Sequence, residues 1–174
     1  MTRYVALLRG ISVGGVRITM PELGDTFRGL GLEAVRTVLA SGNVVFDADG
    51  ATTADLKAAT ERALRDRFGY DAWVHVLPLD AVRAIVADYP FDTDEAVHHP
   101  YVVFCADPGT VAELAEHALA APHDGERLAP GDGVVYWEAP KGGSTTTPFA
   151  TLIAKARFKP LVTTRNLRTL RRLA

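Results

Sequence analysis

The tripeptide Ser41-Gly42-Asn43 sits between two short runs rich in valine, residues 35–40 and 44–47, and this constrains the fold strongly. Gly and Asn tolerate the positive φ of tight turns, so the two runs read as antiparallel strands joined in a hairpin. Upstream, Thr19-Met20-Pro21-Glu22 forms a capping box with Pro in the first turn, predicting a helix over 20–30 that stops at Gly31. Before that helix, residues 3–9 read as a strand. Downstream, Thr52 or Thr53 opens a second helix to about Phe68, Gly69 ends it, and residues 73–77 form a fourth strand. The order is βαββαβ, the ferredoxin-like arrangement.

The second half is expected to repeat much of this pattern. A helix over 80–88 is followed by a polar stretch, residues 89–100, that reads as a linker. Residues 101–105 then form a strand, and Asp107-Pro108 caps a helix carrying Val111, Leu114, Ala115 and Leu119. Strands near 126–129 and 134–138 flank the turn Pro130-Gly131-Asp132-Gly133. Thr147-Pro148 opens a helix to about Phe158, and Thr164 caps a last, basic helix. The predicted fold class is α+β: two ferredoxin-like subdomains with antiparallel sheets and helices packed on them. The boundaries fall at 1–78, a helix and linker over 79–100, and a βαββα subdomain over 101–174.

Composition excludes several function classes. Of 174 residues, 48% are apolar and 23% charged, as in an ordinary soluble protein. No apolar run approaches the roughly 18 residues of a membrane span, and the N-terminus lacks the segment order of a signal peptide. One cysteine, Cys105, excludes an internal disulfide or a Cys-based zinc cage. A cytoplasmic protein without cofactor, metal or membrane partner is expected. The net charge of −2 hides an asymmetry, because residues 139–174 hold eight Lys and Arg and no acid. That tail reads either as a phosphate-binding surface or as the internal partner of the acidic middle.

Three stretches carry candidate chemistry. In the first, Arg9 and Gly10 lead to Ser12, Gly14 and Gly15, where glycines let backbone N–H groups approach an anion and Arg offers a planar fork. Strand direction places this loop at the same sheet edge as Ser41 and Asn43. It is neither a P-loop nor a GxGxxG fingerprint. The second stretch, Gly142-Gly143-Ser144-Thr145-Thr146-Thr147 after Lys141, combines glycines and hydroxyls with a helix start. The third is Thr163-Thr164-Arg165-Asn166, read as a cap and first turn, with Arg168, Arg171 and Arg172 extending a positive helix toward nucleic acid. Against each stands a structural reading: a tight turn, a Gly/Ser/Thr loop, and a docked terminal helix. His98-His99, the acids Asp124, Glu126 and Asp132, and Cys105 read as linker, solvated charge and buried thiol.

Together, Arg9-Gly10-Ile11-Ser12-Val13-Gly14-Gly15, Ser41-Gly42-Asn43-Val44-Val45-Phe46 and Thr164-Arg165-Asn166 resemble the bacterial domain of unknown function 1697 family. The motifs span nearly the whole chain in order. The resemblance implies the two-subdomain ferredoxin-like fold and no established activity. The chain departs from the family pattern at Ser12, where Asn is usual, at Thr145, where Lys is usual, and at Leu167, where an aromatic is common. The residues read as a binder of a phosphate-bearing ligand, nucleotide or nucleic acid. An enzyme acting on a small phosphorylated or acyl substrate, and a protein-interaction module with a basic tail, are the alternatives.

Overall fold

The segment TRYVALLR becomes the central strand of a sheet, β1 (Thr2–Arg9), with Val5, Ala6 and Leu7 wholly buried. In this computed structural model residues 1–11, 16–120 and 125–174 are described. They divide into Met1–Arg83 with Arg172–Ala174, called unit 1, and Ala84–Arg171, called unit 2.

In unit 1, β1 is followed by α1 (Met20–Arg28), β2 (Glu33–Val38), β3 (Asn43–Ala48), α2 (Thr53–Phe68) and β4 (Trp73–Pro78). The sheet order is β2-β3-β1-β4, every neighbour antiparallel, which is the ferredoxin-like order. Both helices start on complete capping boxes, Thr19 with Glu22 and Thr52 with Asp55. Gly69 ends α2 in the left-handed region. Strand alternation then divides the sheet. Tyr4, Ala6, Leu8, Val44, Phe46 and Val74 pack with Leu23 and Phe27 of α1 and Leu56 and Leu64 of α2. The opposite face carries Val5, Leu7 and Arg9 with their cross-strand partners Val45, Asn43, His75 and Trp73.

The next elements are α3 (Leu79–Ala87), β5 (His98–Cys105), α4 (Pro108–Ala120), β6 (Arg127–Pro130), β7 (Val134–Pro140) and α5 (Pro148–Ile153). A 3-10 turn (Ala156–Phe158), β8 (Val162–Asn166) and α6 (Leu167–Leu173) complete the chain. The sheet order of unit 2 is β6-β7-β5-β8, the same arrangement as in unit 1. Its core joins Val103, Val135, Trp137 and Val162 to Val111 and Leu114 of α4, and to Phe149, Ile153 and Phe158. The α+β fold class with two ferredoxin-like sheets therefore holds.

Unit 2 departs from the sequence reading in three places. Thr164 caps no helix: Val162–Asn166 is a strand paired with β5, Arg165 opposite Val102. Three β-branched residues in a row favour that extended geometry, and the strand completes the βαββαβ order that the sequence reading left one strand short. The helix after Thr147 stops at Ile153 because Lys155 is extended, and Phe158 ends a separate 3-10 turn. The stretch 89–100 is not all linker, since His98, His99 and Pro100 open β5 and pair with Pro140, Ala139 and Glu138.

A candidate ligand-binding edge

Arg9 is the last residue of β1, and the chain turns away from the sheet immediately after it. Gly10 makes that turn at φ 79°, where an L side chain is strained. The hairpin between β2 and β3 lies beside this exit. Leu7 pairs with Asn43, and the Leu8 amide donates to the Gly42 carbonyl at 2.9 Å. Gly42 has φ 81°, and a Cβ built there would lie 3.0 Å from Ile11 Cδ1 and 3.1 Å from Leu8 Cβ. Gly10 and Ile11, where the first loop begins, thus share one edge of the sheet with the hairpin, as strand direction requires. Ser12, Gly14 and Gly15 lie outside the described residues.

Within the hairpin, the wholly buried Asn43 side chain donates to the Val38 carbonyl at 2.7 Å and to Ser41 Oγ at 2.8 Å. Asn43 therefore pins the turn, while Ser41 is exposed. Arg9 is half-buried, and burial lowers its pKa. The guanidinium stays charged at neutral pH, so the edge holds a cation that has lost part of its hydration.

The second stretch is differently built. Gly142 takes φ 82°, the Gly143 amide donates to the Pro140 carbonyl at 2.8 Å, and the Thr146 and Thr147 amides both donate to the Gly143 carbonyl at 3.2 Å. Thr147 Oγ1 accepts from the Ala150 amide. The Phe149 amide donates to Glu126 Oε2 at 3.4 Å, so the start of α5 already faces a carboxylate of the protein itself. Ser144 is exposed on this turn.

In the third stretch, Thr164 and Asn166 belong to β8, and Asn166 Oδ1 accepts from the Arg168 amide as α6 begins. Arg165 keeps only 6% of its surface, and burial pushes its pKa down to about 10. One guanidinium nitrogen donates to Thr163 Oγ1 at 2.8 Å and to the Thr164 carbonyl at 2.9 Å. Arg168 forms an ion pair with Glu95, and Arg157 pairs with Glu113 at 2.6 Å. Leu167 and Leu170 are buried, whereas Arg168, Arg171 and Arg172 are exposed.

Two buried carboxylates were not legible as such. Glu126, read as a solvated edge acid, is 5% exposed and accepts from Trp137 Nε1 at 2.9 Å. Asp124 lies outside the described residues. Glu138 is 2% exposed, accepts both Arg127 nitrogens at 2.8 Å and accepts from Thr93 Oγ1 at 2.6 Å. The Arg127 bonds hold its carboxyl below the usual glutamate range. Only the paired register of β6 and β7, which sets Arg127 opposite Glu138, points to this contact. Burial pushes the Cys105 thiol up to about 12, so it stays protonated, in keeping with a structural thiol.

No cluster of metal-ligating side chains occurs among the described residues, and no described helix is long and apolar enough to cross a membrane.

Residues 1–136 match the family described as Protein of unknown function (DUF1697). The chain belongs to that family. Among solved structures it is similar to the conserved bacterial protein SP0830 from Streptococcus pneumoniae. The two share 25% identity and a TM-score of 0.82, with 99% of this chain and 96% of that one covered. The fold is thus shared over nearly the full length of both members of this comparison. An unknown protein from Galdieria sulphuraria aligns at 13% identity with a TM-score of 0.27, too low to bear on the fold. No curated protein matches the chain.

Proposed function

We propose that the Arg9 edge of unit 1 binds a phosphate-bearing ligand, a nucleotide or a stretch of nucleic acid. The observation that carries this reading is a half-buried guanidinium at a strand end, followed at once by a left-handed glycine and flanked by the Ser41-Gly42-Asn43 hairpin. A partly desolvated Arg interacts more strongly with an anion than a fully hydrated one. Gly10 turns the chain where β1 ends, and loops at one sheet edge are a usual place for binding groups. The reading does not depend on residues 12–15.

The basic tail supports nucleic-acid binding less well. Arg165 is buried, and Arg157 and Arg168 already face Glu113 and Glu95, so part of the positive charge is met within unit 2.

Calorimetric titration with inorganic phosphate and a nucleoside monophosphate tests the reading. Saturable binding that Arg9→Gln weakens about tenfold or more is expected, since a charged hydrogen-bond pair contributes roughly 1.5–3 kcal/mol. Unchanged binding in the variant overturns the site. A labelled oligonucleotide distinguishes the two ligand sources. If α6 adds phosphate contacts, replacing Arg168, Arg171 and Arg172 with Ala flattens the salt dependence by about one unit per contact.

A further inference from the structure

β4 lies at an edge of its sheet, and it differs from the other edge strands in charge. β2 carries Glu33 and Arg36, β6 opens on Arg127 and closes on Pro130, and β8 carries Arg165. Charges and proline on an edge strand discourage pairing with another chain. β4 reads WVHVLP, with no Asp, Glu, Lys or Arg, and its Pro78 is the last residue. Such a stretch has high β propensity and no charge of its own, and it pairs readily when its edge is open.

The backbone groups at this edge are met from α2 instead. Leu8 turns its amide toward Gly42 of the hairpin, so Val74, its partner in the β1/β4 ladder, points its own N–H and C=O away from β1. The Val74 amide donates to Glu61 Oε1 at 3.0 Å, and the Val74 carbonyl accepts from Lys57 Nζ at 2.7 Å. Two residues earlier, on the same edge, the Ala72 carbonyl accepts from Arg65 at 3.0 Å. Lys57, Glu61 and Arg65 are spaced four apart and so form one row along α2. The row is joined within itself: Lys57 Nζ also donates to Glu61 Oε1 at 2.6 Å, and Arg65 lies 3.9 Å from Glu61 Oε2. Three side chains thus take hydrogen bonds that a neighbouring strand would make.

We infer that this row closes the β4 edge, and that with the row removed the edge pairs with β4 of a second copy of the chain. The occupant follows from the sequence of the strand. Antiparallel pairing about Val74 sets Val74 opposite its own copy, Ala72 opposite Val76 and Trp73 opposite His75. No two like charges face each other in that register, and β-branched and aromatic pairs of this kind stabilise a ladder.

Amide hydrogen exchange and sedimentation equilibrium of the full chain provide the test. In the wild type the Val74 amide should exchange slowly, although it faces away from the ladder. Glu61→Ala should speed that exchange about tenfold or more, because a bond to a charged acceptor is lost, while Glu61→Gln, which keeps an acceptor, should retain part of the protection. The Leu8 amide, bonded to Gly42, should stay protected in each variant and reports that unit 1 remains folded. Lys57→Ala together with Glu61→Ala should then shift the sedimenting species toward twice the wild-type mass as concentration rises. The Val74 and Val76 amides should regain protection over the same range. If the Leu8 amide shows that the double variant unfolds, Lys57→Ala alone, which frees the Val74 carbonyl and keeps Glu61, carries the same expectation with weaker association. A mass unchanged up to millimolar concentration, a doubled mass without protection at Val74 and Val76, or a Val74 amide indifferent to Glu61→Ala would overturn the inference.

Discussion

Both units fold a sheet of the same strand order, and both join the hairpin to the central strand through one backbone bond. The Leu8 amide donates to the Gly42 carbonyl in unit 1, and the Cys105 amide to the Gly133 carbonyl in unit 2, each at 2.9 Å. They hold their helices by different means. In unit 1, α1 and α2 are capped by residues three positions apart. In unit 2, α5 begins on Thr147 but also receives Glu126, which is 23 residues upstream and bonded to Trp137 as well. Glu138 is likewise held from a distance, by Arg127 and by Thr93, 45 residues away. A shared topology therefore does not imply shared anchoring. Unit 1 also has distant ties, Arg67 to the Glu22 carbonyl and Thr26 Oγ1 and the Val74 amide to Glu61 Oε1, but the distant ties of unit 2 end on carboxylates that are almost wholly buried.

The contrast breaks most readily at Glu126. Glu126→Ala leaves the Trp137 indole and Phe149 amide donors without their acceptor in a buried setting, and about 3 kcal/mol of stability should be lost. Denaturant unfolding followed by Trp137 emission measures it; a loss below about 1 kcal/mol would mean that unit 2 does not depend on this anchor.

The two hairpin glycines give the next largest difference. Gly42→Ala forces a Cβ against Leu8 and Ile11 at positive φ and should cost about 2 kcal/mol, whereas Gly133, at φ 70° with nothing within 4 Å, should cost about 1 kcal/mol from backbone strain alone. Equal losses would remove the claim that only the unit 1 hairpin presses on the loop beside it. Thr52→Ala, which deletes a local cap, should cost about 1 kcal/mol, less than the loss of Glu126, and thermal unfolding of the two variants side by side checks the ranking.

The smallest effect is a pH dependence. The carboxyl of Glu138 is depressed, chiefly by Arg127, from a reference of 4.5, so the unfolded chain binds its proton more readily than the folded one. The stability it adds is present above pH about 4.5 and declines as pH falls through the folded value. Arg127→Ala should reduce this slope in acid denaturation, and an unchanged slope would show that the pair does not couple to folding.

Local signals explain why unit 1 was legible. The capping boxes, the Gly69 terminator and the Ser41-Gly42-Asn43 turn each act within a few residues, so the helix starts at Met20 and Thr53 and the first loop's neighbour could be read from the chain. Unit 2 hid what depends on distant partners. Thr163-Thr164-Arg165-Asn166 was taken for a cap and first turn because Thr and Asn are good caps, and only pairing with β5 makes it part of a strand. Glu126 looked solvated because charge alone does not reveal burial.

The most direct measurement is an amide-resolved NMR titration of the whole protein with inorganic phosphate. Gly10 and Gly42 should shift together and saturate, Gly133 at the corresponding hairpin should stay fixed, and Arg9→Gln should abolish the response. Shifts of equal size at Gly133, or a response unchanged in Arg9→Gln, would contradict an anion site at the Arg9 edge.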